Sequence, residues 1–299
     1  MSAIDAGSVR KFVVTGSMAT DAGLVRTSNE DVVAYVVPSP QEPGRDFLAL
    51  VADGMGGHAA GEVASAMVAD TVRGAYFAHG GEPPAALAEA IETANQRIRA
   101  YAEANPECAG MGSTCTVLVF RAGKMFLGHV GDSRAYIMRD EDFHQITEDH
   151  TLRARMVRDG LLSADEAEQQ VSGNVIWQAL GTSESIEPTI WSEGLPVRAK
   201  DIFLLCSDGL SDLVPDDAIA AALREQRSEG IAPTRTCAAL VRAALEAGGH
   251  DNVSVGVFVV ENADEEASNR TQRKTRPIVL SPRIAEDGPY ARNLAGSRA

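Results

Sequence analysis

Residues 114–138 read TCTVLVFRAGKMFLGHVGDSRAYIM. Three apolar runs, Thr114–Phe120, Met125–Val130 and Ala135–Met138, follow one another with four residues between each pair. No helix fits in those gaps, so the stretch reads as a strand meander. Val32–Val37, Phe47–Ala52, Ile202–Cys206 and Val253–Val260 have the same character. Several of these runs are apolar without alternation, which predicts strands covered on both faces. Leu87, Ile91, Ala94, Ile98 and Tyr101 recur at spacings of four and three, predicting an amphipathic helix over Pro84–Ala104. Val63, Met67, Val68, Val72 and Tyr76 place a second helix over Gly61–Phe77; a third covers Pro233–Glu246 and stops at Gly248-Gly249. Two helices therefore separate the early strands from those beginning at Thr114. Strands and helices do not alternate one for one, which disfavours a doubly wound parallel sheet and predicts α+β layering.

The 299 residues are 44% hydrophobic and 23% charged, an ordinary globular composition, with net charge −15. That charge opposes binding to a phosphate backbone or an anionic membrane, so neither nucleic acid nor a membrane surface is an expected partner. Cys108, Cys115, Cys206 and Cys237 form no C-x-x-C pair and read as buried reduced thiols. The start has no apolar leader, and no window approaches the roughly 20 apolar residues of a membrane span. A cytoplasmic protein is the expectation. From Asn262 onward the chain has seven Lys/Arg against five Asp/Glu, three prolines and little periodicity, the composition of a disordered tail. The predicted organisation is a lead at 1–11, one folded domain at 12–261 and a tail at 262–299. Within the domain, 152–173 is polar and reads as a mobile insertion with helical pieces.

One local pattern occurs twice, as FLALVADGMGG around Asp53 and DIFLLCSDGLSD around Asp208. Each apolar run ends in Asp-Gly, which sets a carboxylate at a sheet edge with a permissive turn beside it. Asp132 ends FLGHVGD, Asp251 opens DNVSVGVFVV, and Glu30-Asp31 precedes the strand at Val32. Any one Asp-Gly is an ordinary turn dipeptide. Several acids at one edge are different, because two bare carboxylates ~4 Å apart repel by about 4 kcal/mol at an effective dielectric of ~20. Such a group needs cations, and all-oxygen donors select hard ions such as Mg2+ or Mn2+.

These residues also carry a family resemblance. R-T-S-N-E-D (Arg26–Asp31), V-A-D-G-M-G-G-H-A-A-G-E (Val51–Glu62), G-M-G-S-T (Gly110–Thr114) and G-H-V-G-D-S-R (Gly128–Arg134) occur in that order. I-T-E-D-H-T (Ile146–Thr151), A-L-G-T (Ala179–Thr182), L-L-C-S-D-G-L (Leu204–Leu210) and G-G-H-D-N-V-S-V (Gly248–Val255) follow. In this series the chain resembles bacterial metal-dependent protein Ser/Thr phosphatases of the PPM (type 2C) family. The resemblance implies a central antiparallel β-sandwich flanked by helices on both sides, in α-β-β-α layers. It also implies two Mg2+ or Mn2+ ions bridged by Asp53, the first completed by Asp208 and Asp251. The second would take the Gly54 carbonyl and a water held by Glu30, and bacterial members often add a third, weaker ion, here at Asp132 with Asp208. Arg26 would grip the substrate phosphate, and 152–173 would be the flap that selects substrate.

The implied reaction is hydrolysis of phosphoserine and phosphothreonine on proteins, opposing a bacterial Ser/Thr kinase. A hydroxide bridging the ions would attack phosphorus in line. Met55 stands where many eukaryotic members carry His, so the general acid is unassigned. Two alternatives are a non-catalytic phosphoprotein-binding domain on the same fold and a metal phosphoesterase acting on small molecules. His129, inside an apolar strand, reads as a hydrogen-bonded core residue. Asp149-His150 reads as a turn, or as a pair that orients the flap or touches the metal shell, His58 as a turn residue near the metals, and Trp177 and Trp191 as packing.

Overall fold

Among the described residues, ten strand pairings, every one antiparallel, build two sheets. In the first sheet the order is β1 (Phe12–Asp21), β12 (Val253–Asn262), β11 (Ile202–Cys206), β7 (Arg134–Arg139) and β8 (Asp142–Gln145). In the second it is β10 (Leu195–Pro196), β6 (Lys124–Val130), β5 (Cys115–Arg121), β3 (Phe47–Met55) and β2 (Asp31–Val36). β4 (Gly112–Ser113) adds to β3, and β9 (Thr189–Ile190) adds to β6. The computed structural model describes residues 12–38, 45–56, 60–171 and 175–262. The lead 1–11, the tail from 263, His58 and the last residues of 152–173 lie outside the described residues.

Side-chain alternation within the apolar strands explains the layering. On β3, Leu48, Leu50 and Ala52 pack toward α1 (Ala60–His79) and α2 (Pro83–Ala104). Phe47, Ala49 and Val51 face the other sheet. On β11, Phe203 and Leu205 join that inter-sheet core. Ile202, Leu204 and Cys206 turn outward against α6 (Asp216–Glu229) and α7 (Pro233–Glu246). Three apolar layers result, and the order is helices, sheet, sheet, helices, the expected α-β-β-α sandwich. All four cysteines are buried and unpaired, as expected.

The stretch 114–138 is not a single meander: β5 and β6 pair, but after the Gly131–Ser133 turn the chain enters the other sheet as β7. That crossing puts the turn at one end of the sandwich. β3 and β11 finish at this end, and β2 and β12 begin there. Residues 152–171 hold two short helices, α3 (Leu152–Arg158) and α4 (Ala164–Gln170). Thr151 caps the first, and a reciprocal Ser163/Glu166 capping box starts the second. α5 (Asp208–Ser211) follows β11 directly. Among the described residues no helix is long and apolar enough to cross a membrane.

Candidate active site

Asp53 lies near the end of β3, opposite Asp31 in the β2 register. Its backbone N–H donates to Thr114 Oγ1 at 2.8 Å, and the Thr114 N–H donates back to the Asp53 carbonyl at 2.9 Å. The next N–H, of Gly54, donates to the Glu30 carbonyl at 3.1 Å. A side chain at Gly54 would collide with the Gly61 and Glu30 backbones, and one at Gly61 with the Glu30 carboxylate. The two glycines let the start of α1 close onto Glu30. Asn252, buried before β12, donates to the Ala22 and Ser28 carbonyls at 2.9 and 2.8 Å. Its Oδ1 accepts the Glu30 N–H at 2.7 Å, so one amide anchors the loop carrying Arg26 and Glu30.

The site residues read from the sequence share this end. Asp208, Asp132 and Asp31 keep buried carboxylate oxygens with no hydrogen-bond partner; in Asp132 both oxygens are so placed. The second Asp31 oxygen accepts the Ser207 hydroxyl at 2.8 Å. Burial raises the Asp53 carboxyl well above the usual carboxylate range, reinforced by the charges of Asp31, Asp208 and Asp132. Asp208 raises the proton affinity of Asp53 while Asp53 lowers that of Asp208, the pattern of two neighbouring carboxyls competing for one proton. Burial, with Asp212 and Asp251, lifts Asp208 to about 6; burial and Asp208 lift Asp132 to about 8. Asp31 rises to about 7, chiefly through burial. Glu30 is raised by burial and lowered by Arg26.

Arg26 and Asp251 make a contact that sequence reasoning did not anticipate. The half-exposed guanidinium donates Nη2 to Asp251 Oδ2 at 2.7 Å. Asp251 Oδ1 accepts the Asn252 N–H at 2.8 Å. The acids do not close into a finished cage: among the described residues, no set of three His, Cys, Asp or Glu side chains is disposed as it stands to hold a metal ion. Their donor chemistry nonetheless fits hard divalent cations. Only oxygens converge, and the buried ones of Asp31, Asp132 and Asp208 lack partners.

Two further residues belong to the site although the sequence reading assigned them no role. Asp31 is visible in the sequence only as the neighbour of Glu30, and Asn252 as a polar residue at a strand start. His129 is a hydrogen-bonded core residue, as expected, with Nδ1 at 2.9 Å from Thr116 Oγ1 and Nε2 at 3.1 Å from the Glu148 carbonyl. Burial lowers it to about 3, and lowers His150 to about 4. Asp149 is taken up by Arg134, which donates to both its oxygens, and by Gln145. Trp177 packs between His150 and Arg155, and Trp191 against the inter-sheet core.

The family model for protein phosphatase 2C matches residues 25–246. The chain belongs to the protein phosphatase 2C family. It is similar to the serine/threonine protein phosphatase PstP of Mycobacterium tuberculosis, with 40% identity over 287 residues. That match covers 94% of this chain and 50% of the relative, so the chain spans about half the length of these mycobacterial proteins. The serine/threonine phosphatase stp of Listeria welshimeri is 33% identical over 245 residues, covering 79% of this chain and 92% of that one. A crystal structure of the PstP catalytic domain in complex with two manganese ions superposes with a TM-score of 0.70 at 37% identity. It covers 84% of this chain and 100% of that one. Within the protein phosphatase 2C family, then, this chain places its strand-end acids at one end of the sandwich.

Proposed function

We propose that this chain is a metal-dependent phosphatase that hydrolyses phosphoserine and phosphothreonine on proteins in the cytoplasm, opposing a bacterial Ser/Thr kinase. The observation that carries the reading is the group of buried, unpartnered carboxylate oxygens of Asp31, Asp132 and Asp208 around Asp53, at the end of the sandwich where Arg26 stands. Asp53, Asp208 and Asp251 would hold one Mn2+ or Mg2+ ion; the Gly54 carbonyl and Glu30, through water, a second; Asp132 and Asp208 a third. Bound there, such ions lower the pKa of water and draw charge off the phosphoryl oxygens.

The protein's own residues do the positioning. Asn252 and the Gly54–Glu30 hydrogen bond fix the height of the loop that carries Arg26. Arg26 is exposed enough to leave Asp251 and present its planar fork to two phosphate oxygens. Thr114 ties the Asp53 backbone to β4–β5, which holds the residue in place against repulsion from Asp208.

The test is phosphate release from a phosphothreonine peptide by protein stripped with chelator and then titrated with Mn2+, with Asp208→Ala alongside. Release that requires Mn2+ and is lost in the variant supports the reading. No release by folded wild type at any Mn2+ concentration overturns it in favour of a phosphoprotein-binding domain. Faster turnover of free nucleotides than of the peptide redirects it to a small-molecule phosphoesterase.

A further inference from the structure

Asp132 poses a mechanical question. Neither of its carboxylate oxygens has a partner, so no bond at the side chain fixes its direction. Its aim is set by the backbone of the Gly131–Ser133 turn. Gly131 takes φ +109°, with Thr114 filling the space a Cβ would need. Thr114 and Thr116 hold the turn at Ser133, through its hydroxyl at 2.8 Å and its carbonyl at 2.9 Å, and His150 holds it at Gly131. The His150 N–H donates to the Gly131 carbonyl at 2.7 Å, and the Gly131 N–H donates to His150 Nδ1 at 3.1 Å. A backbone N–H can only donate, so Nδ1 is the acceptor and Nε2 carries the ring proton, facing Thr189 Oγ1 at 3.3 Å. The Gln178 amide donates to the same Nδ1 at 3.1 Å and is held by the Glu187 backbone on both its atoms.

On its other side His150 starts the flap. Its carbonyl accepts the Trp177 N–H at 2.9 Å, Thr151 bridges Ile176, and the Leu152 N–H reaches the Val175 carbonyl at 2.8 Å. Thr151 Oγ1 then caps α3. Residues 150–152 and 175–177 therefore pair beside His150, which is bonded to Gly131, the residue before Asp132.

We propose that His150 is a positioning residue that aims the Asp132 carboxylate at a divalent cation by clamping Gly131, and so couples that aim to the root of the 152–171 segment. The proposal rests on the phosphatase reading above. His150→Leu keeps the bulk and removes the acceptor; His150→Asn keeps an oxygen near the place of Nδ1. Calorimetric Mn2+ titration of the full chain, with kcat and KM on the phosphothreonine peptide, reads the effect. Asp132→Ala sets the limit. His150→Leu is expected to weaken the weakest Mn2+ site by about tenfold, the low end for a residue that orients a metal ligand from behind. It should lower kcat with little change in KM, leave the tighter Mn2+ binding intact and be largely rescued by Asn. Added to Asp132→Ala it should cost nothing more, since the two act through one carboxylate.

Wild-type Mn2+ binding and kinetics in His150→Leu, or further loss in the double variant, overturn the proposal. Should the leucine variant not fold, Thr189→Val removes only the oxygen facing Nε2. It should shift the weak site in the same direction by about threefold, and an unchanged titration overturns the proposal equally. Absence of Mn2+ binding by the wild type would sink the phosphatase reading instead, so the two failures are distinct.

Discussion

Asp201 and Asp208 flank the same five-residue strand, β11, and their surroundings are opposite. Asp201, 2% exposed, accepts Arg139 Nε at 3.0 Å and Nη2 at 2.7 Å on separate oxygens, and the Arg198 N–H at 2.7 Å. Asp208 has a buried oxygen with no partner and is crowded by Asp53, Asp212 and Asp251. A buried acid that serves the fold arrives with its countercharge in the chain. Among the described residues no Lys or Arg forms an ion pair with Asp208, Asp53 or Asp132, and that deficit is the property a cation-dependent site needs. The comparison separates structural from functional acids without reference to any relative.

The largest effect should come from Asp208→Ala or Asp53→Asn. Peptide dephosphorylation is expected to fall by about a thousandfold, roughly 4 kcal/mol, while cation-free protein melts no lower than wild type because a repulsion is gone. Wild-type activity in either variant would break the comparison at its functional end. Next comes Asp201→Ala, with the reverse profile: urea unfolding should show a loss of about 2–3 kcal/mol for a partly buried Arg139 left unpaired, with kcat unchanged. A stability loss no larger than that of Asp208→Ala would remove the distinction. Arg26→Ala is expected to cost about 2 kcal/mol in kcat/KM, the scale of one charge-assisted hydrogen bond, mostly through KM in steady-state assays.

The smallest effect is thermal. Asp208, Asp31 and Asp132 keep protons up to about pH 6, 7 and 8 when folded, against about 3.9 for an ordinary aspartate. The folded state therefore binds more protons than the unfolded one across pH 4 to 8, and cation-free stability must fall as pH rises through that window. Calorimetric scans in chelator should show the decline, and Mn2+ should raise the melting temperature more at pH 8 than at pH 5. A melting temperature that climbs from pH 5 to 8 in chelator would contradict this account of the acids.

Much of this was legible in the chain. The helix read over Pro84–Ala104 spans Pro83–Ala104, and the one read over Pro233–Glu246 has those bounds, because each repeats apolar residues on one face. Asp53 and Asp208 stand out as acids closing apolar runs. β1 escapes such a reading: FVVTGSMATD is too polar and small to declare a strand, and becomes one through its ten-residue ladder with β12. α6 escapes as well, since DDAIAAALREQRSE offers only Ile219, Ala220, Leu223 and Gln226 to the core. The Arg26–Asp251 pair joins residues 225 positions apart, and no local pattern encodes it.

The division follows from range. Periodicity and turn chemistry act over a few residues, so the chain itself dictated its helices, its apolar strands and the identity of the acids that end them. Which acids meet, which oxygens go unpaired and which receive an arginine are questions of strand order and register. The crossing of the chain between sheets at Gly131–Ser133 brings Asp132 beside Asp53 and Asp208, and the ladder of β11 with β7 carries Arg139 to Asp201. Those partners are far apart in sequence, and only strand pairing within a sheet and the packing of the two sheets bring them together.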